Sequence, residues 1–367
     1  MKQSWEIKKL GEVCEILDHL RVPITKKDRR EGCYPYYGAS GVQDYIDSYI
    51  FDGRYLLVGE DGAKWGPNDK SAYIIEGKSW VNNHAHILKI NECLSDKLVE
   101  YYLVAKDLQE FITGAIVPKL TQQALKNIPI PVPPLPVQEQ IVSELDLLSG
   151  IIEKKREQLK ELDALTQSIF YDMFGDPITN EKGWEVKKLG EVAPAKEYKG
   201  EIPNKDGKYW LLNLDMVTAH TGEIIEQCYF EPNEIGNSTI VFNGENVLYS
   251  KLRPYLNKVV LPKDIGFATS ELVPLFPNKL QLDRMYLAHT LRSSSFVEYI
   301  SAKVAGAKMP RVSMNEFRTF PIPLPPLPLQ HQFASKIEAI ERQKELIKQS
   351  ISETETLFNA RMQEHFG

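Results

Sequence analysis

A chain of 367 residues with 43% hydrophobic residues is long enough to hold about two domains, each with its own core. No run of 18 apolar residues and no apolar signal core occurs, so nothing in the sequence indicates a membrane protein or an exported one. The four cysteines are scattered without a CxxC pair, which argues against a zinc finger or a disulfide framework and favours a cytoplasmic location. The net charge of −6 gives no overall sign of a nucleic-acid-binding protein.

A nine-residue sequence near the start of the chain occurs a second time near its middle. WEIKKLGEV at Trp5–Val13 returns as WEVKKLGEV at Trp184–Val192. A second marker, IPIPVPPLPVQEQ at Ile128–Gln140, returns as FPIPLPPLPLQHQ at Phe320–Gln332, 192 positions later. A long helical stretch follows each proline run. The order globule, proline-rich bend and long helix therefore occurs twice, which indicates an internal duplication.

Between the markers, both copies show short strands bounded by Gly, Asp and Asn, followed by a helix. In the first copy we expect strands at residues 55–59, 71–77 and 84–90 and a helix over 98–112. The second copy predicts strands at 238–242, 246–250, 257–261 and 272–276 and a helix over 285–300. Each globule is therefore predicted to be mixed α/β. The variable segments lie between the repeated markers, as expected of two readers of different targets.

The stretches after the proline runs carry apolar residues at alternating steps of four and three, the seam of a coiled coil. Lys155, Thr166 and Lys344 interrupt the pattern. Such a narrow stripe needs a partner, so we expect the two helices to pack together as an antiparallel coiled coil with a pseudo-two-fold relation between the copies. The predicted helix-pairing seam consists of Ile141, Leu145, Leu148, Ile152, Leu159, Leu162, Ile337, Ile340, Ile347 and Ile351.

These motifs resemble the specificity (S) subunit of type I restriction-modification systems. The resemblance covers essentially the whole chain and rests on both markers, on GEDGAKWG (Gly59–Gly66), and on VLYSKLRPYLNKVVL (Val247–Leu261). It implies an α/β (α+β) fold of two target-recognition globules joined by two long spacer helices. The implied domains are residues 1–135 (recognition domain 1), 136–175 (spacer helix 1), 176–327 (recognition domain 2) and 328–367 (spacer helix 2).

The resemblance also implies a function. Each globule would read one half of a bipartite site in double-stranded DNA, and the helices would set the spacer and dock two methyltransferase subunits. Restriction/translocase subunits would join the complex, and S-adenosylmethionine, ATP and Mg would belong to those partners. The chain itself would be no enzyme and would hold no cofactor. Consistently, it contains no GxGxxG, no GxxxxGKS and no Asn-Pro-Pro-aromatic tetrad.

DNA reading needs Arg, Lys, Asn or Gln at base edges and cations or amides at phosphates. We select the loops richest in such side chains, while any single residue among them has a solvated surface loop as its ordinary alternative. The first-copy candidates are Lys26, Lys27, Arg29, Arg30, Lys64, Trp65, Asn82, Asn83, His84, Lys119 and Gln122. The second-copy candidates are Lys251, Arg253, Tyr255, Asn257, Lys258, Lys308 and Arg311.

Other readings of the same residues are weaker. Asp69 followed by Glu76-Gly77-Lys78 imitates a nuclease metal site, but such triplets are common at solvated hairpin ends. His84 and His86 alternate along a strand, and no Cys or further His stands beside them to complete a zinc site. We therefore predict no metal and no catalytic residue. Two other functions stay open: the specificity subunit of a type IIB-like combined enzyme, or a duplicated coiled-coil scaffold that binds no DNA.

Overall fold

A computed structural model of the chain describes residues 5–114, 116–306 and 309–367. The chain divides into two compact units. Unit 1 comprises Met1–Arg156 with Lys348–Gly367, and unit 2 comprises Glu157–Ile347. Both units contain strands and helices together, which confirms the predicted mixed α/β class with two globules. Within the described ranges, none of the helices combines the length and the apolar character that crossing a membrane requires.

Each repeated nonapeptide forms a strand and one helical turn, and it pairs with the proline run of its own copy. In unit 1, β1 (Glu6–Lys9) lies antiparallel to β10 (Pro129–Val132) and leads into α1 (Leu10–Val13). In unit 2, β11 (Glu185–Lys188) pairs in the same way with β21 (Pro321–Leu324) and leads into α5 (Leu189–Val192). Proline is tolerated here because each sheet has only two strands, so every strand is an edge.

A buried glutamine fixes each proline run to its globule. The Gln138 amide nitrogen donates to the backbone oxygens of Pro133 (2.8 Å) and Cys93 (3.1 Å), and its oxygen accepts from the Ser95 backbone N–H (2.8 Å). Gln330 makes the same three bonds in unit 2, to Pro325 (2.7 Å), Gln281 (3.0 Å) and Asp283 (2.8 Å). We call the paired strands together with this glutamine the elbow.

Unit 1 is built around a six-stranded sheet. Its strands are β2 (Cys14–Ile16), β3 (Glu31–Gly38), β4 (Gly41–Ile46), β5 (Phe51–Gly59), β6 (Ala72–Val81) and β7 (Ala85–Ile90). The order is β2-β7-β5-β6-β3-β4, antiparallel except for the parallel pair β3 and β6. Helix α2 (Asp96–Ala105) packs on the sheet, with Leu98 and Val99 in one buried cluster with Leu56 and Val58.

Unit 2 uses smaller sheets. One contains β12 (Tyr209–Leu212), β13 (Tyr229–Phe230), β14 (Thr239–Phe242) and β17 (Gly266–Thr269), in the order β13-β12-β17-β14. The other contains β15 (Val247–Ser250), β16 (Val259–Val260) and β18 (Leu272–Leu275), in the order β16-β15-β18. The strands predicted for this copy are present, although β16 is shorter than the segment 257–261.

Neither predicted globule helix is continuous over its whole predicted range. In unit 2 the helix is broken into α6 (Arg284–Arg292) and α7 (Ser294–Ser301), because the Ser293 hydroxyl accepts from the Phe296 N–H and caps a new helix. In unit 1, α2 ends at Ala105, and the chain turns so that the Leu108 N–H donates to the Trp65 oxygen at 2.9 Å. Apolar periodicity continues across both breaks, which is why the sequence pattern did not show them.

The two long helices are present, α4 at Leu135–Phe174 and α9 at Leu327–Phe366. Within unit 1, the start of α4 lies antiparallel to the end of α9. Glu144 pairs with Arg361 at 2.8 Å, and Lys155, one of the interruptions in the apolar stripe, donates to the hydroxyl of Ser350. Tyr101 of α2 lies edge-on to Phe358, ring centroids 6.0 Å apart, so this helix pair belongs to the core of the unit.

Within unit 2, the end of α4 lies antiparallel to the start of α9. The Phe170 and Phe333 rings are 5.7 Å apart, and Lys344 pairs with Asp163 at 2.7 Å.

Most of the predicted seam residues of the two long helices are buried. The buried ones are Ile141, Leu145, Leu148, Ile152, Ile337, Ile340 and Ile351, and Leu159, Leu162 and Ile347 are partly exposed. Lys155 thus makes hydrogen bonds and Lys344 makes ion pairs within the helix pairs, and neither interrupts the packing.

Candidate nucleic-acid interface

Each unit carries a short hairpin at an equivalent position. Unit 1 has β8 (Ile112–Thr113) and β9 (Lys119–Leu120), followed by α3 (Gln122–Lys126). Unit 2 has β19 (Val304–Ala305) and β20 (Arg311–Val312), followed by α8 (Met314–Arg318), at the same 192-residue offset. Each hairpin places one predicted DNA-binding cation, Lys119 or Arg311, next to the loop that follows a core strand of the same unit.

The backbone bonds of this junction are the same in both units. In unit 1, the Leu120 N–H donates to the Glu60 oxygen at 2.8 Å and the Glu60 N–H donates to the His84 oxygen at 2.9 Å. In unit 2, Val312 donates to Lys251 at 2.9 Å and Lys251 donates to Glu271 at 3.0 Å. Glu60 therefore matches Lys251, His84 matches Glu271, and Lys119 matches Arg311.

In unit 1 the junction is a buried charge network centred on Glu60. One carboxylate oxygen lies 2.6 Å from Lys119 Nζ and the other 2.5 Å from Arg21 Nη1. Burial alone would raise the pKa of Glu60, but the hydrogen bonds from Lys119 and Arg21 outweigh it and lower this pKa. The bond to Glu60 also raises the pKa of Lys119. Both groups are charged at neutral pH.

Asp18 and His86 extend this network. His86 is fully buried; its Nδ1 lies 2.6 Å from an Asp18 oxygen and its Nε2 lies 2.7 Å from the Leu120 carbonyl oxygen. Burial would raise the pKa of Asp18, but its hydrogen bond to His86 outweighs this and lowers the pKa. Both ring nitrogens of His86 therefore face oxygen atoms, which fixes the ring between Asp18 and Leu120.

Asp18, Glu60 and His86 could also each offer one metal ligand, since their ligand atoms lie within 4.8 Å of one another. The donor set does not favour a metal, because the two carboxylates already have cations of their own. Arg21 Nη2 is 3.4 Å from Asp18, and Lys119 and Arg21 hold Glu60. The network fits an ion-pair cluster that joins four segments of the unit.

An open cleft of about 340 Å³ lies beside this network, lined by Ala39, Ser40, Gly41, Val42, Gln43, Asp61, Gly62 and His84. The His84 ring is half exposed and its Nδ1 contacts the Asp61 carboxylate. Asn82 is 2% exposed; its amide donates to Gln43 Oε1 at 3.1 Å and its oxygen accepts from the His84 N–H at 2.8 Å. In this structure the Asn82 side chain, predicted as a DNA contact, is buried and supports Gln43 and His84.

The matching loop of unit 2 presents two strong cations. Arg253 is exposed and has φ of 50°, a left-handed conformation held by its N–H bond to the Pro310 oxygen at 2.8 Å. Arg311 is half exposed, and its guanidinium meets Glu271 through Nη2 at 2.9 Å and Nε at 3.3 Å. Lys251 is partly exposed at the position that Glu60 occupies in unit 1.

Two of the other predicted DNA-binding side chains of this loop are engaged in hydrogen bonds within the unit. Asn257 donates to the Arg292 oxygen at 2.9 Å and Lys258 donates to the Leu214 oxygen at 2.6 Å, so both side chains brace the loop from behind. Tyr255 is 50% exposed and lines a cleft of about 270 Å³ with His220. Tyr255 is therefore the member of this trio that DNA can reach, and Lys308 lies outside the described residues.

The remaining first-copy candidates divide into exposed and structural ones. Trp65, predicted as a DNA contact, is 4% exposed and donates to the Gly59 oxygen at 3.1 Å, so in this structure its side chain lies in the core of unit 1. Arg29 lies 4.1 Å over the Tyr36 ring and pairs with Asp44 at 3.2 Å. Gln122 is exposed but donates to Asp18 at 3.1 Å. Lys26, Lys27, Arg30, Lys64 and Asn83 are exposed.

Sequence reasoning missed Arg21 and the acidic members of these junctions, Glu60 and Glu271. A search for donors to bases and phosphates passes over carboxylates, because an isolated acid would repel DNA. Only the matched backbone bonds identify them. Glu60 stands directly before Asp61-Gly62, and that position next to a loop glycine was the one local signal available.

Comparison with known proteins identifies relatives over the full length. The family model described as type I restriction modification DNA specificity domain matches residues 2–163 and 181–356. A Haemophilus influenzae protein assigned to the specificity subunits of type I restriction enzymes is 27% identical over 361 residues, covering 92% of this chain and 87% of the relative. The EcoDI specificity subunit of Escherichia coli is 20% identical over 387 residues, covering 95% and 84%.

Solved structures share the fold. The crystal structure of an S subunit from the type I restriction-modification system of M. genitalium aligns with a TM-score of 0.60 at 13% identity, covering 100% of this chain and 97% of the other. A chain from a structure titled for complex assembly and conformational transition of the type I system aligns with a TM-score of 0.54 at 16% identity, covering 100% and 98%.

Proposed function

Because the chain belongs to the family of type I restriction-modification DNA specificity proteins, we propose that each of its two units reads one half of a bipartite DNA site. The family supplies DNA recognition to these systems and is not itself catalytic. The observation that carries the proposal is the pair of matched junctions. One backbone frame holds different charged side chains in the two units, as two readers of different sequences require.

The residues proposed to meet DNA are those with exposed polar ends on these loops. Arg253, Arg311 and Lys119 are candidates for base edges because cationic donors suit guanine O6 and N7. The exposed cations of the first unit, Lys26, Lys27, Arg30 and Lys64, suit phosphates. The cell compartment that follows from this role is the cytoplasm, where genomic DNA is reached without export.

We further propose that two methyltransferase subunits dock on this chain, one at each copy. Exposed apolar side chains recur at equivalent positions: Ile7 and Val186 in the nonapeptides are 60% and 49% exposed, and Leu165 and Leu357 on the long helices are 46% and 47% exposed. Unit 1 contains Ile7 and Leu357, and unit 2 contains Val186 and Leu165. A repeated exposed apolar pair suits a partner that binds twice.

In the same proposal the paired helices set the number of unread base pairs between the half-sites. The support is the antiparallel helix pairing described within each unit, which fixes the helices by core packing rather than by flexible linkers. Restriction/translocase subunits would join through the methyltransferases. S-adenosylmethionine, ATP and Mg would be held by those partners.

The experiment that tests the function is a map of methylated adenines. Cells that supply the partner methyltransferase are compared with and without this chain, and with a chain in which Arg253 and Arg311 are both changed to alanine. We expect one bipartite motif that requires the chain and loses its second half in the double variant. A map that is the same with and without the chain would contradict DNA recognition and favour a scaffold.

A further inference from the structure

We infer that Glu271 and Glu60 determine specificity as positioning residues: each holds one cation, Arg311 or Lys119, in the orientation that reads a base of its half-site. This inference rests on the proposed function. We call each carboxylate with its cation a clamp: Glu271 with Arg311 in unit 2, and Glu60 with Lys119 in unit 1.

The clamp of unit 2 leaves a defined edge of Arg311 free. A guanidinium has five N–H donors in a planar fork. Glu271 accepts from Nε (3.3 Å) and from Nη2 (2.9 Å), which occupies one side of that fork. Among the described residues no acceptor meets Nη1, so the edge formed by Nη1 and the outer hydrogen of Nη2 is left for a ligand. That edge matches the O6 and N7 acceptors of guanine.

The clamp of unit 1 is anchored more deeply. Glu60 has a side chain only 10% exposed, and Arg21 holds its second oxygen at 2.5 Å. Lys119 gives one of its three donors to Glu60 at 2.6 Å, and its side chain is 43% exposed. The anchored carboxylate therefore fixes the direction of Lys119, while its other two N–H donors remain available.

The two clamps hold their cations from different sides of the same frame. Lys119 and Arg311 are equivalent by hairpin position and offset. The carboxylate of unit 1 stands where unit 2 has Lys251, and the carboxylate of unit 2 stands where unit 1 has His84. The cation at this position is thus held by a carboxylate on a different side in each unit. Its free N–H donors therefore point at different base edges. The choice of clamp position is thus a way to change the base that is read without changing the backbone.

Without its carboxylate, each cation would be free to turn toward the phosphates. Phosphate contacts add affinity that does not depend on sequence, whereas a fixed fork at a base edge discriminates. Loss of a clamp should therefore relax the preference for one base and leave overall binding to DNA largely in place. A residue that only stabilised the fold would weaken binding at every position instead.

The test uses the full chain in complex with its methyltransferase subunits, once adenine mapping has given the bipartite motif. Binding is measured to duplexes that each change one base pair of the motif. For Glu271→Gln we expect the preference at one position of the second half-site to fall about 5- to 150-fold, the 1–3 kcal/mol of a bidentate contact. The first half-site should keep all its preferences.

Three further variants separate a loss of base reading from a structural effect. Arg311→Lys retains the charge but loses the fork, and it should relax the same position as Glu271→Gln. Glu245→Gln breaks the exposed pair with Lys279 in the same unit and should leave every preference as in wild type. In unit 1, Lys119→Gln should relax one position of the first half-site only.

Unchanged preferences in Glu271→Gln would overturn the inference, and so would an equal loss at all positions of both half-sites, which indicates a structural role. If the wild-type complex itself showed no bipartite motif, the proposed function would fail before the clamps were tested.

Discussion

The elbows of the two units make the same bonds, whereas the recognition junctions differ in chemistry at two of their three matched positions and keep a cation at the third. Gln138 and Gln330 each make three equivalent hydrogen bonds and are fully enclosed. At the junctions, Glu60 stands opposite Lys251 in the alignment of backbone bonds, and His84 opposite Glu271.

Under the proposed function, this difference explains how one duplicated chain would hold two specificities. The junction backbone is fixed by N–H···O=C bonds that any residue except proline supplies, so the side chains there are free to change. At the elbow, the side chain itself makes the bonds, so glutamine occurs in both copies. If the shared backbone and the DNA-reading loops are independent, a substitution in an elbow should affect folding. A substitution in a reading loop should instead affect DNA recognition by its own unit.

The largest effect is expected from Arg21→Ala, which leaves Asp18 and Glu60 buried without their shared cation. We expect unit 1 to lose about 3–5 kcal/mol of unfolding free energy. Arg54→Ala is the matched control, since Arg54 pairs with Asp96 on an exposed surface and should cost less than about 1 kcal/mol. Chemical denaturation followed by unit-specific hydrogen exchange measures both, and equal small losses would contradict a buried network.

The acid sensitivity of the same network gives a second prediction. The pKa values of Asp18 and Glu60 are lowered below their ordinary 3.8 and 4.5, so their stabilisation is complete above those values and is lost as the pH falls through the lowered ones. The difference in unfolding free energy between wild type and Glu60→Gln should therefore shrink between pH 7 and pH 3. A difference that stayed constant with pH would show that the charge of Glu60 does not stabilise unit 1.

Equal effects are expected at the elbows. Gln138→Ala and Gln330→Ala each leave one N–H and two carbonyl oxygens without their partner, so each should cost about 1–3 kcal/mol. Gln140→Ala, at an exposed position on the same helix, is the control. Thermal unfolding of the three variants tests this, and a large effect in one elbow with none in the other would break the equivalence.

The reading loops should instead respond one unit at a time. Arg253→Ala is expected to weaken binding to the second half-site by about 1–3 kcal/mol and to leave the first untouched. Competition binding with duplexes altered in one half-site separates the two. Equal loss on both half-sites would count against separate readers.

The smallest effect is expected at an exposed cation of the first unit. Lys26, which is exposed, is proposed to contact a phosphate. Lys26→Ala should therefore weaken binding to all sequences alike and lower the salt slope by about one. Binding at several salt concentrations measures the slope. A change in base preference would mean that Lys26 reads sequence.

The features of this molecule that could be predicted from its sequence are those that local sequence patterns determine. The duplication, the two long helices and part of the strands of each globule (β5 to β7 in unit 1, and β14, β15, β16 and β18 in unit 2) follow from repeats and periodicity. The break at Ser293 was hidden because apolar spacing continues across it. The burial of Trp65 depends on where its loop folds back, which composition does not determine. The clamps require three distant segments to meet, so Glu271 could be found only in the structure.

The central claim is that the two units read separate half-sites and the paired helices set the gap between them. Seven residues inserted after Leu159 and after Ile351, equivalent positions of the two copies, keep the heptad face in register. Each insertion adds about 10.5 Å of helix, which corresponds to about three base pairs. A four-residue insertion at the same places is the control, since it rotates the seam and should impair assembly.

Adenine methylation is then mapped in cells that supply the methyltransferase subunits. We predict the same two half-site sequences with an unread spacer longer by about two to three base pairs. Full methylation with an unchanged spacer would contradict the claim that the helices set the distance.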